Sequence, residues 1–138
     1  MPAEVFVDAG IWYEASNPQA LNHGVGLDVM RAAAREGLRP VTTNLVLAEA
    51  HALLVSRVHR NAALTFLREV RGPGVMIVAS TPELEQRALS DWIERYDDQD
   101  FSLADAVSFA VMADRGIELA LTLDHHFRVA GFRTRPAR

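Results

Sequence analysis

An α/β fold, with a mostly parallel sheet and helices on both faces, is predicted by three features of this sequence. Apolar periodicity changes type repeatedly along the chain, short β-branched segments alternating with longer helical stripes. Turn and capping signals separate these stretches, and no repeat, linker or low-complexity tract interrupts them. The length, 138 residues, suits one domain spanning 1–138, and an apolar share near one half argues against disorder.

Taken in order, Glu4 to Val7 reads as a buried strand ending at Asp8. A short helix follows around Ile11 to Ala15 and is broken by Asn17-Pro18. Leu21 to Glu36 carries a helical pattern that stops at Gly37, and Pro40-Val41-Thr42 reads as a second strand. Asn44 to Arg57 and Arg60 to Val70 are helices, the latter ended by Arg71-Gly72-Pro73-Gly74. Val75 to Ala79 is a β-branched strand. Ser80 is the expected cap of the next helix, with Glu83 three residues on and Pro82 in the first turn, running to about Arg95. An acidic loop, Asp97 to Asp100, leads to a helix from Leu103 to Asp114 closed by Gly116. Leu119 to Leu123 is a strand, Asp124 to Val129 a helical turn, and Phe132 to Thr134 an edge strand.

Composition narrows the function classes. Cysteine is absent, which removes disulfides, thiol nucleophiles and zinc-thiolate sites. All fourteen basic residues are arginine, which removes any mechanism that needs a lysine. No apolar run is long enough to span a bilayer and no signal-peptide pattern is present, so a soluble cytoplasmic protein without a membrane partner is expected. The net charge of −4 is not the usual sign of a nucleic-acid binder, unless acids converge on a metal and the basic residues lie elsewhere.

Four carboxylates occupy unsuitable surroundings. Glu49 lies mid-helix with Leu45, Val46, Ala52 and Leu53 three and four residues away, so it is expected to project from an apolar stripe. Such an acid is protonated, paired with an arginine or bound to a metal. Asp105 has Phe101 and Phe109 four residues to either side, but Ser102-Leu103-Ala104-Asp105 also fits a capping box. Asp8 and Asp124 each follow an apolar strand, where functional acids and helix caps both occur. If the four converge, mutual repulsion demands a cation or raised pKa values. All-oxygen ligands suit Mg²⁺ or Mn²⁺, and no histidine or cysteine stands at metal-ligand spacing. Such ions activate water and hold a phosphodiester for in-line attack.

Four segments carry a resemblance across nearly the whole chain. Val5-Phe6-Val7-Asp8, Thr42 to Glu49, Ser102-Leu103-Ala104-Asp105-Ala106 and Leu121 to Phe127 resemble, in order, the signature blocks of PIN domains. The resemblance implies a Rossmann-like sheet and Mg²⁺- or Mn²⁺-dependent RNA hydrolysis, with Asp8, Glu49, Asp105 and Asp124 as catalytic and metal-binding acids. It further implies support from Ser102 and Thr122 and an auxiliary acid at Asp100. A chain of this length is similar to VapC toxins of VapBC toxin–antitoxin pairs, which implies a small antitoxin partner and a homodimer. His125-His126, just after the last acid, depart from the expected pattern and bear on RNA contacts or metal preference rather than on the acidic set.

Past Asp124, the run His125, His126, Arg128, Arg133, Arg135 and Arg138 contains no acid, and its arginines are candidate RNA contacts or a solvated basic tail. His51 and His59 read as structural, and Trp12, Tyr13, Trp92 and Tyr96 as packing residues, with base stacking by Trp12 or Tyr13 as the alternative. Aspartyl-phosphate phosphatases and receiver domains are excluded by Asp8-Ala9-Gly10, which lacks a second acid, and by the missing lysine. A P-loop is excluded likewise. The remaining alternatives are a housekeeping RNA-processing PIN nuclease and a catalytically inactive PIN-like binding module.

Overall fold

Five short parallel strands form the centre of the molecule, whose computed structural model describes residues 2–137. They are β1 (Glu4–Val7), β2 (Arg39–Thr43), β3 (Met76–Val78), β4 (Leu119–Leu121) and β5 (Arg133–Arg135), in the spatial order β3-β2-β1-β4-β5. Between them run α1 (Ala9–Ser16), α2 (His23–Arg35), α3 (Asn44–Arg57), α4 (Arg60–Val70), α5 (Pro82–Ala88), α6 (Leu103–Arg115) and α7 (His126–Val129). The predicted α/β class holds, and the sheet is parallel at every pairing described.

The strand order fixes where a site can form. The chain steps from β1 outward to β2 and β3, then returns to lay β4 against the other side of β1. Right-handed crossovers therefore place α1 to α4 on one face and α5 to α7 on the other. The packing agrees, α1 meeting α2 and α3 while α6 meets α5 and α7. The reversal between β1 and β4 opens a crevice at the carboxyl ends of these two strands. Asp8 follows one of them and Thr122 the other.

Burial explains why the strands read as continuous apolar runs. Val5, Phe6, Val7, Val41, Ala120 and Leu121 are fully buried, because helices cover both sheet faces. An aromatic ladder extends this core toward the crevice. Phe127 lies 6.0 Å from Phe6 and 5.0 Å from Phe109, and Phe109 lies 5.0 Å from Phe101, the last two contacts being edge-to-face.

Several boundaries differ from those read in the sequence. The cap of α5 is Thr81, whose side chain accepts from the Leu84 amide, rather than Ser80. Pro82 at the first helical position holds its predecessor in extended backbone, which makes that predecessor the cap. Ser80 instead donates to Glu85. The helix expected to continue to Arg95 loses α-helical geometry after Ala88 and passes through a π-helical turn, Leu89–Ile93. Leu21 is 95 % exposed and α2 starts only at His23. Strand β4 stops at Leu121 rather than Leu123, because the Thr122 hydroxyl turns the chain locally by accepting the Asp124 amide at 2.9 Å.

Candidate active site

The crevice between β1 and β4 gathers the acids that the sequence singles out. The Asp8 amide donates to the Leu121 carbonyl at 3.0 Å, pinning the end of β1 to β4. Asp8 stands at the N-cap position of α1 but makes no capping hydrogen bond; its Oδ2 accepts the Thr122 hydroxyl at 2.8 Å. Thr122 in turn accepts the Asp124 amide, and Asp124 Oδ1 accepts the His126 amide at 2.9 Å. His126 Nδ1 lies 3.2 Å from Asp105 Oδ2. Asp105 closes the series through a reciprocal capping box with Ser102, at 3.0 and 3.3 Å. A continuous hydrogen-bonded chain thus links Asp8, Thr122, Asp124, His126, Asp105 and Ser102. For Asp105, capping and convergence on the cluster both hold.

The electrostatics show the same convergence. Enclosure by protein, followed by the charges of Asp105 and Asp124, pushes the Asp8 carboxyl from 3.8 up to about 7 against the opposing pull of the Ala9 amide and the Thr122 hydroxyl. Glu49 is also raised, first by partial enclosure and then by Asp105 and Asp124. Its placement corrects the sequence expectation: the residue is exposed at the rim, not buried on an apolar stripe. The buried face of α3 is formed by Val46, Leu47, Ala50 and Leu54, and at about 100° per residue Glu49 falls on its flank.

Among the described residues, no arginine forms an ion pair with any of the four acids. Arg39 and Arg115 hold Glu4, Arg87 holds Asp114, and Arg135 holds Glu36. The hydrogen bonds to Asp105 and Asp124 fall on one oxygen of each, Oδ2 and Oδ1 respectively, and among the described residues the other oxygens have no protein donor. Clustered carboxylates without a counter-charge, one of them pushed toward neutrality, fit a hard divalent cation. Two histidines stand beside the carboxylates. One ligand atom each of Asp124, His125 and His126 lies within 4.8 Å of the others, brought together by the turn before α7 rather than by helical or strand spacing. Sequence reasoning gave His126 no role in the acidic set; the available signal was its position two residues after Asp124 and next to the core residue Phe127.

The other candidates are distributed as follows. Asp100 is exposed and does not join the hydrogen-bonded chain. Arg128 is exposed and lines a cleft of about 180 Å³ with Thr122, Leu123, Asp124, His125, Thr134 and Pro136. Arg133 and Arg135 line a different cleft, of about 480 Å³, at the opposite ends of the strands beside Glu4 and Glu118. Arg138 lies outside the described residues. Trp12 is buried and donates to Thr42 Oγ1 at 3.3 Å, and Tyr13 is buried against Arg57, so both are packing residues without a free face for a base. His59 caps α4.

Comparison with known proteins agrees with this geometry. The PIN domain family model matches residues 5–133. The 23S rRNA-specific endonuclease VapC20 of Mycobacterium tuberculosis is 34 % identical over 128 residues, 93 % of this chain and 95 % of its own length. The crystal structure of VapC20, described as a toxin that cleaves the sarcin–ricin loop, aligns with a TM-score of 0.84 and 33 % identity, covering 94 % of this chain and 96 % of that one. Two further structures share the fold at 11 % identity. VapBC2 of Rickettsia felis, bound to a promoter DNA fragment, aligns with a TM-score of 0.69 over 95 % of this chain and 96 % of its own. FitAcB of Neisseria gonorrhoeae aligns with a TM-score of 0.62 over 94 % and 95 %. With its acids at the switch point of a parallel sheet and a family match over most of its length, this chain belongs to the PIN-domain family, in its VapC-like form.

Proposed function

We propose that this chain is a metal-dependent endoribonuclease acting as the toxin of a toxin–antitoxin pair, with the sarcin–ricin loop of 23S rRNA as its substrate. The observation that carries the reading is the hydrogen-bonded chain of aspartates at the β1/β4 crevice, without an arginine counter-ion among the described residues. The substrate assignment rests on 34 % identity to VapC20 over 93 % of the chain. We read residues 1–138 as one domain acting in the cytoplasm, inhibited by a small cognate antitoxin and forming a homodimer. No helix among the described residues is long and apolar enough to cross a membrane.

In this reading Asp8, Glu49, Asp105 and Asp124 hold Mg²⁺ or Mn²⁺. The bound ion supplies an activated water and charge neutralisation at the scissile phosphate. Thr122 fixes the Asp8 carboxylate and Ser102 orients Asp105 through the capping box. Without the ion the Asp8 carboxyl is held at about 7 by enclosure and by the charges of Asp105 and Asp124; a bound cation would favour its ionised form, so Asp8 serves as a ligand. Arg128 and His125, exposed beside Asp124, contact the phosphates flanking the cut.

The test is cleavage of a sarcin–ricin loop oligonucleotide and of intact ribosomes by purified protein, mapped by primer extension, with Mg²⁺, with Mn²⁺ and with excess EDTA. A single metal-dependent cut in the loop is expected, absent in Asp124→Asn. Full cleavage in chelator overturns the metal assignment, and a cut elsewhere overturns the substrate.

A further inference from the structure

His126 ties two of the acids together in a way their roles as metal ligands do not require. Its Nδ1 lies 3.2 Å from Asp105 Oδ2 and 3.5 Å from Asp124 Oδ1, while its own amide donates to that same Asp124 oxygen at 2.9 Å. Both neighbours of Nδ1 are carboxylate oxygens, which only accept, so Nδ1 carries the hydrogen. Nδ1, carrying a hydrogen, has no lone pair for a metal; the lone pair of a neutral ring lies on Nε2. The ring is not held by the acids alone: it packs edge-on against Phe101 at 5.2 Å and 81°, its side chain is 18 % exposed, and Phe101 rests on the fully buried Phe109. The aromatic core thus presents one N–H at a fixed place between two carboxylates from different elements, the first turn of α6 and the loop after β4.

We infer that His126 is a positioning residue of the cation site. Its Nδ1–H holds one oxygen of Asp105 and lies against one of Asp124, leaving the other oxygen of each for the ion. This deepens the proposed function and rests on the reading of the four acids as a metal centre. The hydrogen bond does two things. It offsets part of the repulsion between carboxylates that share the site, and it removes their freedom to rotate away before the cation arrives. Groups that orient metal ligands in this manner are typically worth about ten- to hundredfold in metal affinity.

The amide of His126 is backbone and survives substitution, so side-chain variants isolate the ring. His126→Asn carries an amide N–H near the position of Nδ1, whereas His126→Gln carries it one bond farther out and His126→Ala has none. Mn²⁺ binding to the full chain, free of RNA, is measured by calorimetry and by pulsed EPR, with circular dichroism melting to confirm each fold. Wild type and His126→Asn are expected to bind Mn²⁺ within a few-fold of each other, and Ala and Gln about ten- to hundredfold more weakly. The wild-type EPR spectrum is expected to show no nitrogen coupling that His126→Asn abolishes. If the alanine variant does not fold, the comparison of Asn with Gln decides alone. Equal affinity in all variants, an asparagine variant as weak as glutamine, or a nitrogen coupling that His126→Asn abolishes overturns the positioning role while leaving the metal centre intact. Absence of saturable Mn²⁺ binding by wild type overturns the metal centre as well.

Discussion

Asp8→Asn separates a metal-site carboxylate from a structural one, and its effect on stability has a definite sign at each pH. The folded state raises the Asp8 carboxyl from 3.8 to about 7. A raised acid binds its proton more tightly in the native than in the unfolded state, so native stability falls as pH rises from about 4 to about 7 and is level above that. The shift spans roughly three pH units, each equivalent to about 1.4 kcal/mol, which sets a ceiling near 4 kcal/mol on the burden that ionised Asp8 places on the metal-free protein at pH 8. Asparagine keeps an acceptor for the Thr122 hydroxyl and carries no charge. Allowing for some water reaching the carboxylate, the variant is expected to gain about 2–4 kcal/mol at pH 8, a rise in melting temperature of roughly 5–15 °C for a chain of this size. At pH 4 Asp8 is protonated in the native state, and the gain disappears.

The assay is thermal melting by circular dichroism in EDTA from pH 4 to pH 8.5, repeated at pH 8 with Mn²⁺. Added Mn²⁺ is expected to raise wild type more than the variant, because only the carboxylate rewards the ion. A gain that is the same at pH 4 and pH 8, or a variant that melts below wild type at pH 8 in EDTA, refutes the argument that an unneutralised charge is stored at Asp8.

Three further outcomes follow from the same geometry. Asp105→Asn retains an acceptor for the Ser102 amide, so melting in EDTA is expected to be unchanged or raised while RNA cleavage falls by orders of magnitude; lower melting with wild-type cleavage would make Asp105 only a cap. Arg128→Ala is expected to weaken RNA binding and lower its salt dependence by about one ion, while Arg135→Ala, whose guanidinium is engaged by Glu36, leaves both unchanged in a filter-binding titration. Arg115 is the largest influence holding Glu4 down at about 2, so Arg115→Ala is expected to cost about 1–2 kcal/mol at pH 7. That contribution is present above pH 4.5 and lost as pH falls toward 2, which urea unfolding at pH 7 and pH 2.5 measures.

The sequence made the strand-end acids and the α/β class legible because both depend on local pattern. Strand β1 and helices α3 and α4 have the bounds their periodicity predicts, since their apolar faces are continuous and their ends carry strong breakers. Glu49 was misplaced in depth because helical neighbours show which residues share a side of a helix but not how far the partner structure reaches around it. Phe101 and Phe109, read as flanks of Asp105, turn out to support His126, a contact across the β4–α7 turn that no spacing reveals. Arg133 and Arg135 illustrate the reverse failure. They follow Asp124 closely in sequence, yet β5 runs parallel to β4, so the chain first returns to the far end of the sheet and sets Arg133 opposite Leu119; Arg135 comes back opposite Leu121 but turns its guanidinium away to Glu36.

The net negative charge becomes intelligible on the same basis. An acidic crevice repels RNA, and among the described residues no arginine forms an ion pair with its acids, although the chain carries fourteen arginines. Had an arginine paired with Asp8 or Asp124, the apo protein would gain a compensated ion pair and lose the site's demand for a cation. The fold withholds that compensation. Glu4, Glu36 and Asp114 receive guanidinium groups at the periphery, whereas among the described residues the acids at the switch point receive only hydroxyl, amide and imidazole hydrogens. Those donors fix geometry without cancelling charge as an arginine would. In the proposed reading they leave an electrostatic deficit that a divalent ion would reduce, which would weaken the repulsion between the crevice and the phosphate backbone. RNA binding and metal loading are thus expected to be mutually reinforcing: Mn²⁺ strengthens binding of an uncleavable RNA, and RNA strengthens binding of Mn²⁺ by the same factor. Fluorescence anisotropy of a labelled, 2′-deoxy-substituted loop across a Mn²⁺ titration measures the first factor, and calorimetry of Mn²⁺ with and without that loop measures the second. Equal RNA affinity with and without the ion would mean that the acids do not face the backbone.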